Sequence, residues 1–139
     1  MLRARGGQGQ LLLVEQDQEL AGQMVAGFNK AGVPMDHVST LQQAVDRCLH
    51  GAPDLLILDV ALPDGDGFSL VDWLRRQPGL QTLPLVVYSN REISDAEMAK
   101  LRLGPTHFFN KAKVKPRQIE ELVLSMVSRM RNSPVTSVA

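Results

Sequence analysis

A second cysteine is missing from this sequence: Cys48 stands alone among 139 residues. No disulfide can form within the chain, and no metal ligand lies near Cys48 in sequence. It falls in an apolar helical stripe, where a thiol serves as a small core residue rather than a nucleophile. Long apolar runs are also missing. The longest are about four or five residues, far short of the roughly 20 that span a bilayer. The opening "MLRARGGQGQ" lacks the apolar stretch of a secretion signal, so a cytoplasmic location is expected and no membrane is. Excess charge is absent too: fifteen basic and fifteen acidic residues cancel. No overall field draws the chain to nucleic acid or to an anionic membrane, and a partner must be recognised locally.

What is present suffices for one domain with one core: 44% apolar and 22% charged residues. A flexible leader is expected over 1–10, the domain over 11–131 and a flexible tail over 132–139. Within the domain, short apolar runs alternate five times with helix-period segments. That alternation marks repeated β-α units around a parallel sheet, an α/β fold. The runs are Leu11 to Val14, Met35 to Val38, Leu55 to Val60, Leu85 to Ser89 and His107 to Phe109. "LLLV", "LLILDV" and "LVVYS" are continuously apolar, as strands covered on both faces should be. "MDHVS" is more polar and suits an edge.

The helices carry their own start signals. Asp17 caps the first, whose face is Leu20, Met24, Phe28 and Ala31 and which stops at Gly32. Thr40 and Gln43 form a capping box for the second, with the stripe Leu41, Ala44, Val45, Cys48 and Leu49. The third runs from about Phe68 to Gln77. Ser94 and Glu97 box the fourth, whose apolar face of Ile93, Met98, Ala99 and Leu101 is ragged. Pro116 opens the fifth, with Ile119, Leu122, Val123, Met126, Val127 and Met130 at helical spacing.

In an open parallel α/β sheet, ligands sit outside the carboxyl ends of the strands. Those ends carry Glu15 and Gln16, Asp59, Ser89 and Asn90, and Asn110 and Lys111. Asp59 follows "LLIL", and a lone buried carboxylate costs several kcal/mol unless paired, by Lys111 or by a cation. A rim of hard oxygens suits Mg²⁺. A carboxylate beside such a cation and a lysine can attack a phosphoryl group and form an aspartyl phosphate. In the sharp turn "LPDGDG", Asp64 and Asp66 read as turn-formers.

"LLLVEQD", "PDLLILDVALPDGDGFSLVDWLR", "LPLVVYS" and "LGPTHFFNK", in that order, resemble the response-regulator receiver domains of two-component (phosphorelay) signalling, over Leu11 to about Met130. The resemblance implies a doubly wound, flavodoxin-like (βα)5 fold with five parallel strands in the order 2-1-3-4-5. It implies that Asp59 is the phosphoacceptor and that Glu15, Gln16, Asp59 and the backbone carbonyl of Ala61 hold Mg²⁺. It also implies that Ser89 reads the phosphate, that Lys111 pairs with phosphate or carboxylate, and that Phe108 is the aromatic switch residue. The implied partners are a histidine kinase or phosphotransfer protein and a downstream protein target. A homodimer would form through the face of the fourth and fifth helices, and enzymatic activity would be limited to self-phosphorylation and slow dephosphorylation.

Three positions depart from the family pattern. Gln16 stands where a second acid helps bind the metal, which lowers the expected Mg²⁺ affinity roughly tenfold to a hundredfold. Ala112 replaces the proline that follows the lysine after a cis bond, so either the loop changes or strain of about 3 kcal/mol is retained. Asn90 is bulkier than the small residue often found there. Gln16 and Ala112 favour the alternative of a degenerate receiver, an interaction module that works without phosphate. A flavodoxin-type cofactor site is disfavoured because "VEQDQE" lacks the Ser, Thr and Gly of a phosphate cradle. A phosphohydrolase is disfavoured because Ala61 stands where it needs a second acid. The basic run "KAKVKPR", with Arg129 and Arg131 beyond it, reads as a solvated face or a surface for an acidic partner, and no direct nucleic-acid binding is expected.

Overall fold

The computed structural model describes residues 10–131; the rest of the expected leader and the tail over 132–139 lie outside the described residues. Five strands form one parallel sheet: β1 (Leu11–Val14), β2 (Met35–Val38), β3 (Leu55–Leu58), β4 (Leu85–Ser89) and β5 (Thr106–Asn110). Their order is 2-1-3-4-5 once the short antiparallel pair Ala61–Leu62 and Gly65–Asp66 is set aside. The helices are α1 (Gln18–Lys30), α2 (Leu41–Leu49), α3 (Gly67–Arg75), α4 (Asp95–Leu101) and α5 (Pro116–Arg131).

Side chains alternate across a strand, so each central run divides itself between two cores. Leu11, Leu13, Leu55, Ile57, Val86 and Tyr88 face α1 and α5, meeting Met24, Phe28, Ile119 and Val123. Leu12, Val14, Leu56, Leu58, Leu85 and Val87 face α2, α3 and α4, meeting Ala44, Cys48, Leu70, Leu74 and Leu101. Cys48 is thus a core residue, and burial raises its thiol pKa.

The helix starts use their local chemistry. Asp17 Oδ1 accepts from the Glu19 and Leu20 amides, both at 3.1 Å, and Ser94 with Glu97 closes a full capping box. Thr40 accepts from Gln43, but the Gln43 side chain accepts from Ser39 rather than from Thr40. The two loop acids are structural. Asp64 accepts from the Leu41 and Gln42 amides at 2.7 and 3.1 Å, and Asp66 caps α3. Gly67 sits in tight quarters: a Cβ would lie 3.0 Å from Leu58 Cδ2 and 3.1 Å from Val60 Cα, so its neighbours would have to give way by a few tenths of an ångström. This close approach presses the α3 entry onto the end of β3.

Several boundaries shift from the sequence expectation. The third strand ends at Leu58, since its pairing with β4 ends at Leu58 and Val87 and the chain then enters the short hairpin. Leu49 is 65% exposed: α2 packs on Ala44 and Cys48, and the stripe through half-buried Leu41 and Val45 turns out to solvent one turn later. Ala31 is an exposed C-cap residue of α1, and Met130 is exposed at the end of α5. Phe28, fully buried, should lose about 3 to 5 kcal/mol on truncation to alanine, whereas Leu49→Ala should change stability by no more than about 0.5 kcal/mol. Urea unfolding of both variants measures this; equal losses would contradict the packing.

Candidate functional site

The sheet's hydrogen bonding does not stop where the strands end. Glu15 N donates to Val38 O at 3.0 Å, Asp59 N to Val14 O at 2.9 Å and Lys111 N to Ser89 O at 2.8 Å. His37 Nε2 is 2.8 Å from Glu15 O and fixes the β1 exit further. The residues just past β1, β3 and β5 are therefore tied by backbone hydrogen bonds to the neighbouring strands. Glu15, Asp59 and Ser89 are the three buried polar or charged residues among those described.

Lys111 Nζ bridges the two carboxylates, 2.8 Å from Glu15 Oε1 and 3.1 Å from Asp59 Oδ2. The other oxygens are also engaged: Glu15 Oε2 accepts from Asp17 N at 3.0 Å and Asp59 Oδ1 from Ala61 N at 3.2 Å. Two buried carboxylates thus share one ammonium and leave a surplus negative charge. Burial, reinforced by Asp59, pushes the Glu15 carboxyl up to about 7 against the pull of Lys111 and the Asp17 amide. Burial acts against the Lys111 cation, but the carboxylates more than offset it and hold its pKa above the ordinary lysine value.

Ser89 lies beside this group on β4, and its Oγ accepts from Arg91 N at 3.3 Å. Gln16 is exposed on the bend before α1, and its side chain makes no hydrogen bond to the described residues. Asp17 is committed to capping α1, and Asn90 is exposed. Phe108, half-buried on β5, lies under the Arg102 guanidinium at 5.6 Å.

Around Ala112 the loop itself changes. No described peptide bond is cis. The Ala112 amide, which proline would lack, donates to Asn110 Oδ1 at 2.7 Å, while the Lys113 and Val114 amides donate to Asn110 O at 3.0 and 2.9 Å. Sequence reading missed the second tie on this turn. Tyr88, buried on β4, donates its hydroxyl to Val114 O at 2.6 Å and sets its ring 5.9 Å from Lys111 Nζ. Burial raises the phenol pKa, so it remains a donor. The available signal was the chain's one tyrosine, placed in an otherwise aliphatic strand next to Ser89.

Against this geometry stand the relatives. The family model of the response regulator receiver domain matches residues 11–124, and the chain belongs to that family. It is 29% identical over 128 residues to the transcriptional regulatory protein GltR of Pseudomonas aeruginosa, covering 92% of this chain and 51% of that protein. The signal receiver domain of a signal transduction histidine kinase from Syntrophus aciditrophicus superposes with a TM-score of 0.71 at 28% identity, covering 94% of this chain and 95% of that one. The receiver domain of a sensor histidine kinase from Pseudomonas aeruginosa PAO1, solved with magnesium in its active site cleft, shares the fold at 20% identity and a TM-score of 0.73, over 87% of this chain and 98% of that one. The chain spans about half the length of curated relatives such as GltR. None of the described helices is long and apolar enough to cross a membrane.

The Glu15 carboxyl has a definite pH signature. Its folded pKa lies above its unfolded value of 4.5, so the stability it contributes is full below about pH 4.5 and is lost as pH rises through about 7. In chelator, wild type should lose stability relative to Glu15→Gln across that window, by on the order of 1 kcal/mol per pH unit. Parallel melting curves over the window would refute the shift. Tyr88→Phe leaves the Val114 carbonyl without its donor, which should cost about 1 to 3 kcal/mol and speed hydrogen exchange at Ala112 and Val114. Unchanged exchange there would show that the Tyr88 hydroxyl does not hold the turn.

Proposed function

We propose that the chain is a phosphorylation switch in which Asp59 accepts a phosphoryl group from the phosphohistidine of a kinase or phosphotransfer protein. The observation that carries this reading is the buried pair Glu15 and Asp59 sharing the single ammonium of Lys111. An Asp59 carboxylate oxygen attacks phosphorus while the phosphorus–nitrogen bond breaks, and its electron pair leaves with the donor imidazole. Lys111 then has a phosphoryl oxygen to pair with, and the Ser89 hydroxyl has one to which it can donate.

A divalent cation fits the surplus negative charge and the hard oxygens, a match supported by the raised pKa of Glu15. Among the described residues no three His, Cys, Asp or Glu side chains cluster for a metal. Glu15, Asp59 and the Ala61 carbonyl would hold Mg²⁺, with the exposed Gln16 amide as a neutral fourth donor. Bound there, Mg²⁺ would neutralise charge on the transferring phosphoryl group. The site carries out a single self-modification rather than turnover of a substrate.

Output through α4, β5 and α5 is supported by how α4 is held. Leu101 is its one buried residue. Its carbonyl end is clamped by Arg75, which donates to Ala99 O at 3.0 Å and to Arg102 O at 2.9 and 2.5 Å. At its other end Arg91 pairs with Glu97 and lies over the Phe68 ring. Since the Arg91 amide also donates to Ser89 Oγ, a pull on that hydroxyl is transmitted to α4. The downstream target is a protein that reads this face, and a second copy of the chain is one candidate.

A second reading, a receiver that works by protein contact without phosphate, is favoured by the same lysine. Lys111 already bonds to both carboxylates, and Gln16 adds no charge. Intact-mass measurement after incubation with acetyl phosphate and Mg²⁺ separates the two. One phosphoryl adduct on wild type and none on Asp59→Asn is expected, with Gln16→Asp labelled roughly tenfold faster at limiting Mg²⁺. An adduct confined to Gln16→Asp would establish the phosphate-independent reading, and an adduct retained by Asp59→Asn would remove Asp59 from the acceptor role.

A further inference from the structure

His37 is not one of the polar residues that close the apolar runs; it lies within the edge strand β2. It is paired with Leu13, so its half-buried ring shares the α1 side of the sheet with Leu13 and Met35. An aliphatic side chain would pack there equally well. The imidazole instead reaches the β1 exit, where Nε2 is 2.8 Å from Glu15 O. A carbonyl oxygen only accepts, so Nε2 carries the hydrogen, in the neutral ring as in the charged one. The bond therefore does not depend on which form of the ring is present.

Glu15 is buried, and a buried carbonyl needs a donor. His37 supplies it and so orients the planar peptide between Glu15 and Gln16. The rest of the turn follows from that plane. The Asp17 amide, two residues on, donates to Glu15 Oε2 at 3.0 Å, while Lys111 holds Oε1 at 2.8 Å. The start of α1 is fastened to the same edge, since Gln18 Nε2 donates to Ser39 Oγ at 2.9 Å and Ser39 N donates to Gln43 Oε1 on α2 at 2.9 Å. With Glu15 N on Val38 O, these bonds join the turn that carries Glu15 and Gln16 to β2 and α2.

We propose that His37 is a positioning residue for the cation site: its bond to the Glu15 carbonyl sets the shape of the Glu15 to Asp17 turn, and with it the place of the Glu15 carboxylate that a divalent cation would meet. This inference rests on the reading of Glu15 as a cation ligand. Gln16 brings no charge and Asp17 is committed to capping α1, so a displaced Glu15 has no substitute on its own turn. Groups that orient a metal ligand through a hydrogen bond change metal affinity by roughly tenfold to a hundredfold. Removing the donor at position 37 therefore acts on the ion without touching it.

The test compares the full chain as wild type, His37→Phe and His37→Gln. Phenylalanine keeps a ring and has no donor, whereas the glutamine amide nitrogen falls near the place of the imidazole Nε2 and can donate to the same carbonyl. Titration with Mg²⁺ alone, followed by amide NMR, should show affinity about tenfold lower in His37→Phe and within about twofold of wild type in His37→Gln. In chelator, hydrogen exchange at Asp17 should speed about tenfold in His37→Phe only. Unchanged Mg²⁺ affinity in His37→Phe would overturn the proposal, and so would equal weakening in both variants, which would mark a packing role. If wild type itself binds no Mg²⁺, the cation part of the proposed function fails separately, and exchange at Asp17 still decides the role of His37: an unchanged rate in His37→Phe overturns it.

Discussion

Everything at the rim of this sheet depends on Lys111 and the two carboxylates it bridges. Burying Glu15 and Asp59 together is tolerable only because one ammonium reaches both. Lys111 follows β5, two strands from β3 in the sheet, and its side chain spans that distance to reach both carboxylates. The lysine holds the site together while leaving it one charge short of neutral. Burial of the pair, reinforced by the Asp59 charge, is what raises the pKa of Glu15.

The precision of this bridge comes from the backbone. Hydrogen bonds continue past the strand ends to Glu15, Asp59 and Lys111. The Lys111 turn adds two side-chain ties, from Ala112 to Asn110 and from Tyr88 to Val114. The first uses the amide that a proline at position 112 would lack. The departure at Ala112 thus comes with its own restraint, and a loosened lysine loop does not follow from it.

The two sides of the sheet are held differently. α1 and α5 share a continuous core through Phe28, Ile119 and Val123. α4, in contrast, is fixed chiefly by arginines at its two ends and by one buried leucine. Side-chain clamps can be exchanged at much lower cost than a packed core. The contacts run from Ser89 through Arg91 and from Phe108 through Arg102, so α4 adjoins the Ser89 side of the candidate site.

The sheet is legible in the sequence, since four-residue apolar runs with capped helices between them have few other ways to bury both faces. The candidate site is legible too, since polar residues closing such runs must gather at one rim. Asp17, Asp66 and Ser94 announced their helices because capping is a contact between neighbours in the chain. Leu49, Ala31 and Met130 fall on the apolar stripes and are nevertheless exposed, because periodicity marks the centre of a buried stripe and not where the neighbouring helix ends. The bridge from Lys111 to Glu15 and the Tyr88 tie are not written in any local pattern. Each depends on distances between residues far apart in the chain, and no local pattern encodes those distances.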